Sequence, residues 1–329
     1  MTSAEPRNHA LFAYFTRQDE ADGEQVRFAR SENADLLHWD ELAGGRPVLL
    51  STVGTRGVRD PFLIRSAGLV GETAAFYLIA TDLRIHDLDP DFGWDHAQSH
   101  GSRSIVIWES QDLIHWSPPR LAEVAPPDAG NAWAPEAIFD AESQRYLVFW
   151  ASTHREVDGS CGYNRMLACW TTDFRIFTAP FVWADPGWSA IDATVVQSKG
   201  SFYRLLKDER SSDSALPAAK YLTLERSRTL ESTNWELVQD GIGSAQPVAA
   251  GALRHGEGPI LLWNESTRKW LIFIDEFTLR GYIPFEANDL AGRWTMCESY
   301  RLPAGASHGS ILQITEAEWD SLAGISPIV

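Results

Sequence analysis

Positive charge is scarce in this chain: 28 Lys and Arg stand against 45 Asp and Glu, a formal net charge of −17. Such a chain has little with which to neutralise phosphates, which argues against nucleic acid and anionic membranes as partners. Cysteine is nearly absent too. Cys161, Cys169 and Cys297 are odd in number and show no paired spacing, so neither a disulfide framework nor a zinc site is indicated. No apolar run is long enough to span a bilayer, and Met1 to Asn8 is polar, with no apolar segment of the kind a secretion signal carries. These absences fit a protein of the reducing cytoplasm with a neutral ligand, or a secreted one whose leader has been removed.

Aromatic side chains are what the chain has in excess. Fourteen Trp exceed what packing requires; most read as core residues, and the rest suit flat platforms for sugars. Hydrophobic residues at 44% of 329 can fill one large all-β domain or two ordinary ones.

Short motifs set the organisation, each a carboxylate followed by an apolar run. They are Arg59-Asp60-Pro61-Phe62, Trp133-Ala134-Pro135-Glu136, Ile191-Asp192-Ala193-Thr194 and Gly256-Glu257-Gly258-Pro259, and His308-Gly309-Ser310 puts a His where the others have an acid. The repeat positions are read as 60, 136, 192, 257 and 308. After each of the first four come further short aromatic and β-branched runs, such as 76–80, 146–150, 202–206 and 270–274, bounded by Gly, Asp, Asn and Pro. Segments 112–116 and 173–177, and those leading to Trp235 and Trp294, read as the closing strands. Four strands per repeat at this period predict propeller blades.

The chain begins with three strands lacking a first one and ends, at His308–Ile314, with a first strand lacking the other three. Joining the ends predicts an all-β, five-bladed propeller of four-stranded antiparallel blades. The fifth blade is shared between about 8–45 and 305–316, which makes 1–329 a single catalytic domain with a short tail from Glu316 packed outside. Two insertions stand out. Arg84–Arg103 reads as a solvated rim loop, although Asp87, Asp89 and Asp91 have the spacing of a calcium loop; its sixth and twelfth positions, Phe92 and Gln98, do not match one. Asp208–Lys220 is a Ser-rich loop with no usable motif.

First strands of propeller blades line the axis, so Asp60, Glu136, Asp192, Glu257 and His308 are expected to meet in one funnel. Several carboxylates in a partly buried pocket repel one another, and at least one should hold a proton near neutrality. A protonated acid beside an ionised base is what glycoside hydrolysis needs.

On these five motifs, in order and over nearly the whole chain, the sequence resembles glycoside hydrolase family 43, a family of five-bladed propellers that remove arabinofuranosyl, xylosyl or related residues with inversion. The resemblance implies Asp60 as the general base, Glu257 as the general acid, and Asp192 as the third carboxylate that raises the acid's pKa and orients it. It implies that His308 lies near an axial calcium or sodium ion or a water cluster, with no cofactor required. Glu136 falls where members vary and is assigned to substrate hydroxyls. The departure from the usual layout is at the start, where about 50 residues of the closing blade precede the base-bearing strand.

Trp133, Trp188, Trp94 and Phe62 are candidate sugar platforms, with Arg59 and Arg280 as donors to sugar hydroxyls. Arg59 equally suits an ion pair, and His255 suits a supporting role or a ligand contact. Asp208-Glu209 and Asp275-Glu276 read as rim residues or partners of Arg, with no role in the chemistry. The expected activity is an inverting, exo-acting glycosidase on an oligosaccharide, an α-L-arabinofuranosidase first, with β-xylosidase or β-galactofuranosidase as alternatives. A non-catalytic sugar-binding propeller is the alternative from another class. A retaining, fructan-type propeller wants an Asn-Asp-Pro-like motif before Asp60, and residues 1–59 contain none. Which sugar is released, the linkage, exo against endo action, the presence of an axial ion and the oligomeric state are left open by the sequence.

Overall fold

The computed structural model describes residues 5–88, 93–156, 160–211, 215–216, 219–244 and 253–326. Its strands form five four-stranded antiparallel sheets arranged as a five-bladed β-propeller. The first complete blade is β4 (Val58–Arg65), β5 (Phe76–Asp82), β6 (Ser104–Ser110) and β7 (Arg120–Glu123). The second is β8 (Trp133–Asp140), β9 (Arg145–Ser152), β10 (Arg165–Thr171) and β11 (Phe181–Ala184). The third is β12 (Ala190–Ser198), β13 (Ser201–Asp208), β14 (Leu222–Ser227) and β15 (Glu236–Ile242). The fourth is β16 (Glu257–Asn264), β17 (Lys269–Glu276), β18 (Gly281–Ala287) and β19 (Thr295–Met296).

The last blade joins the two ends of the chain. β20 (Ser307–Ile314) pairs antiparallel with β1 (His9–Phe15), followed by β2 (Arg27–Glu32) and β3 (Asp35–Glu41). Pairing the ends covers strand edges that would otherwise be open to other chains. Apolar side chains fill the spaces between neighbouring blades. Leu11, Phe28, Leu78 and Trp108 pack in one such core, and Phe12, Trp39, Phe273 and Tyr282 in another. Trp39, Trp108, Trp150, Trp183 and Trp294 are all fully buried, so these five tryptophans hold blades together. The tail from Glu316 includes a short helix, Glu316–Ser321, started by a Thr315 capping box, and Leu322 after it is buried between blades. No helix among the described residues is long and apolar enough to cross a membrane.

The closing segments differ from expectation. Asp112–Trp116 and Asp173–Phe177 are turns, and the fourth strands begin several residues later. The reason is local hydrogen bonding. Asp112 Oδ1 accepts from the backbone N–H of Ile114 and His115, and Asp173 Oδ1 from Arg175 and Ile176. A short carboxylate bonding to the chain two and three residues on competes with a strand ladder and makes a turn. Leu113 and Phe174 then drop fully buried into the interblade cores.

Candidate active site

Each first strand carries a β-bulge at its entrance. Ladder pairs Arg59↔Thr81 and Phe62↔Ile79 leave Asp60 and Pro61 opposing one residue, and the same shift occurs between Trp133 and Glu136, Ile191 and Thr194, and Glu257 and Ile260. On β20 the shift falls between Ser307 and Ser310, opposite Ala13 to Phe15. A proline as the second bulge residue, at 61, 135 and 259, suits this gap because it has no N–H to donate. The first bulge residue turns left-handed: φ is 51° at Asp60, 47° at Ala134, 53° at Asp192 and 51° at Gly258.

This register corrects the repeat. Equivalent positions are 60, 134, 192, 258 and 308, so Glu136 lies two residues past the bulge and Glu257 one before it. Glu136 shares a rung with Phe62, Thr194 and Ile260. All four line a separate cavity of about 340 Å³ further along the first strands. Glu136 and Phe62 therefore do not reach the funnel expected of them. Glu136 is buried there, and burial pushes its carboxyl well above the usual range.

The funnel itself is a cavity of about 410 Å³ at the bulges. Asp60, Asp192, Glu257 and His308 line it, with Arg59, Trp94, Trp133, Ile191, Lys207 and Glu209 among the others. Asp60 Oδ2 accepts a 2.7 Å hydrogen bond from the Thr81 hydroxyl, which in turn accepts from the N–H of Ala134, tying the first two blades together. Nδ1 of His308 lies 3.4 Å from Asp60 Oδ1 and 3.8 Å from Asp192 Oδ1. Asp192 Oδ2 accepts from the N–H of Gly258 at 3.1 Å, next to Glu257. Burial raises the Asp192 carboxyl, with Asp60 adding to it, while His308 and Lys207 oppose the shift.

Tyr282 fastens two bulges. Its hydroxyl donates to Gly258 C=O at 2.8 Å and accepts from Gly309 N–H at 2.9 Å. One hydroxyl thus satisfies a bulge carbonyl of its own blade and a bulge N–H of the next.

The sequence reading missed three residues here. Lys207, at the rung of Ile191, places Nζ 2.6 Å from Glu257 Oε2 and 2.6 Å from Glu209 Oε2. Asp275, paired with Glu257 across β16 and β17, accepts from Ser307 Oγ at 2.8 Å. Asp208 and Glu276 do pair with Arg210 and Arg280 as expected, whereas Glu209 lines the funnel, and Asp275 lines the adjoining cavity directly across the ladder from Glu257. The signal in the sequence was a lysine and two acids at the cavity ends of second strands, where an alternating pattern predicts apolar or outward residues.

Other candidates sort by what already holds them. Trp94 and Trp133 meet edge to face across the cavity wall at 6.0 Å, and Trp94 stands on helix α1 (Trp94–His100), so the first insertion supplies a wall as well as a rim. Asp89 and Asp91 lie outside the described residues. Arg59 is in the wall but ion-paired at 3.0 Å to the fully buried Glu24, with its guanidinium over Phe15 and Trp94. Trp188 is not in the cavity wall; its ring is covered by the Arg210 guanidinium at 4.2 Å. Arg280 is drawn to Glu276 and lines an adjoining cavity of about 430 Å³. His255 Nε2 bonds the carbonyl of Phe277 at 2.7 Å. No group of three or more His, Cys, Asp or Glu among the described residues is arranged to hold a metal. With His308 Nδ1 turned to two carboxylates, these residues do not fit an ion bound through that nitrogen.

Asp275 gives a pH prediction. Burial, then Glu257, pushes it from 3.8 up to about 7. An acid that holds its proton more tightly folded than unfolded loses stability as pH rises from about 4 to about 7. Asp275→Asn keeps an acceptor for Ser307 and cannot ionise. Thermal melts should show wild type falling behind the variant across that window, by a few kcal/mol at most near neutrality. Parallel curves at all pH values would refute it.

A family model described as a probable glycosyl hydrolase domain, of the family 43-related type, matches residues 5–320. The chain is 30% identical over 254 residues to an alpha-L-arabinofuranosidase of Bifidobacterium longum. That match covers 68% of this chain and 23% of the relative, so the chain spans about a quarter of that protein's length. Among solved structures it is similar to a family 93 alpha-L-arabinofuranosidase of Fusarium graminearum bound to arabinobiose, with TM-score 0.58, 14% identity, and coverage of 92% of this chain and 80% of that one. It is also similar to an endo-1,4-beta-xylanase of Bacteroides thetaiotaomicron, with TM-score 0.56, 15% identity, and coverage of 91% and 92%. At such identities the two structures speak for the fold alone.

Proposed function

The chain belongs to the glycosyl hydrolase family whose model spans it, and from that premise we propose that this glycosidase is inverting and exo-acting and releases a terminal furanosyl or pentosyl residue, α-L-arabinofuranosyl first. The observation that carries the reading is the meeting of Asp60, Asp192 and Glu257 at one cavity beside Trp94 and Trp133. The arabinofuranosidase relative favours the sugar.

In this reading a water bound to Asp60 attacks the anomeric carbon and gives its proton to the carboxylate. Thr81 and His308 fix the direction of Asp60. The glycosidic C–O bond breaks with its electron pair going to the leaving oxygen, which takes the proton of Glu257. Inversion requires room for the water, so this reading calls for a separation of roughly 6.5–9.5 Å between the two carboxyl groups. The indoles of Trp94 and Trp133 in the wall offer flat faces to the sugar.

The test is hydrolysis of nitrophenyl α-L-arabinofuranoside, β-D-xyloside and β-D-galactofuranoside, with the anomer first released read by proton NMR. Release from the arabinofuranoside with inverted configuration is expected. Retention, or release only from another sugar, would overturn the corresponding part of the reading.

A further inference from the structure

We propose that Lys207 is the positioning residue for Glu257: it fixes that carboxyl's direction and stabilises the anion left there once its proton has gone to the leaving oxygen. The proposal rests on the hydrolytic role given to Glu257 above.

The geometry is specific. Lys207 stands on β13 with its side chain only 1% exposed, and its ammonium sits 4.5 Å over the ring of Phe277. It reaches Glu257 Oε2 and Glu209 Oε2 at 2.6 Å each. Glu209 is gripped from its other side by Lys220, giving a chain of alternating charge, Glu257–Lys207–Glu209–Lys220, along the cavity wall. A purely structural ion pair buried this deeply adds little stability over apolar side chains of the same volume. This one is placed where a carboxyl must lose a proton.

Other charges face the pair from its own two blades, and beyond them from the last and first blades. Asp275 on β17 lies across the ladder from Glu257, Asp192 on β12 acts on Lys207, and His308 on β20 sits between Asp192 and Asp60 on β4. Burial works against the Lys207 charge, but Glu257, Glu209 and Asp192 outweigh it and hold the ammonium above its ordinary range. The site therefore keeps one fixed positive charge beside Glu257. As the O–H bond of Glu257 breaks and its proton passes to the glycosidic oxygen, the electron pair stays on a carboxylate oxygen facing this ammonium. Preorganised charge at the place where charge develops lowers the barrier without reorganisation. The same ammonium attracts the Glu257 carboxylate before reaction as well, which is why the pH dependence of turnover is a readout of its removal.

The experiment compares wild type, Lys207→Met, Lys207→Gln and Lys207→Arg on a nitrophenyl glycoside and on an oligosaccharide of the same sugar, with kcat and KM measured across pH. Lys207→Met should lower kcat on the oligosaccharide on the order of 10- to 100-fold, with KM little changed. The loss on the nitrophenyl glycoside should be much smaller, because its leaving group needs less proton donation. The basic limb of the kcat profile should move to higher pH, and Lys207→Arg should return it toward wild type. A basic limb that stays in place, with equal losses on both leaving groups, overturns the proposal. If Lys207→Met does not fold, Lys207→Gln against Lys207→Arg decides by the same two readouts. Glu257→Gln separates this from the function itself: oligosaccharide turnover surviving in that variant removes Glu257 as the acid, whereas its loss alongside insensitive Lys207 variants refutes only the role of Lys207.

Discussion

Asp60→Asn should remove nearly all turnover, lowering kcat/KM on the order of 10²- to 10⁴-fold while leaving the melting temperature close to wild type. Asparagine fills the same space, and its oxygen still accepts from the Thr81 hydroxyl that holds Asp60 at 2.7 Å. What it cannot do is take a proton from water. The left-handed backbone at this position, φ 51°, suits Asn as well as Asp, so the substitution adds no strain of its own. Loss on both nitrophenyl and sugar leaving groups is the signature of the base, since water must be activated whatever leaves. The outcome that refutes this role for Asp60 is activity within about tenfold of wild type, a smaller loss than general-base catalysis accounts for.

The second large effect concerns ring closure. A Cβ on Gly309 would stand 2.1 Å from the carbonyl oxygen of Ala13 and 3.0 Å from the Cα of Tyr14. Both are backbone atoms of β1, so no side chain can swing aside. Gly309→Ala must push β20 off β1, the strand pair that closes the ring. It also strains the Gly309 N–H bond to Tyr282, whose hydroxyl holds Gly258 next to Glu257. Overpacking of this kind costs about 1–3 kcal/mol, and more where backbone must move. Chemical denaturation should report at least that loss, and the variant that does fold should have lower kcat. A variant as stable as wild type would mean that the closing ladder tolerates displacement.

The turn motifs show how local information reads. Asp112-Leu113 and Asp173-Phe174 mark the repeat, yet by sequence alone they resemble strands, because an apolar residue stands close to an aromatic. The deciding factor is the hydrogen bond that the Asp carboxylate accepts from backbone N–H groups two and three residues on, which makes a turn and aims Leu113 or Phe174 inward. Glu136 reaches the funnel, as a partner for substrate hydroxyls, only if carboxylate is aligned with carboxylate. Aligning the prolines at 61, 135 and 259 gives the true register, since the bulge is fixed by where the ladder needs no donor.

What the sequence alone determined is the part governed by short-range rules. Runs of β-branched and aromatic residues between turn formers specify strands, their fourfold repetition specifies blades, and the incomplete blades at the two ends specify closure through β20 and β1. It also placed Asp60, Asp192, Glu257 and His308 at one opening, because each heads a first strand. The tertiary structure decided which charge faces which. Lys207 and Glu257 are 50 residues apart and belong to different blades, and their 2.6 Å contact exists because the ring sets those blades side by side. No periodicity encodes such a pair. Its geometry comes from the packing between blades, and the protonation of the site follows from the burial and neighbouring charges which that packing creates.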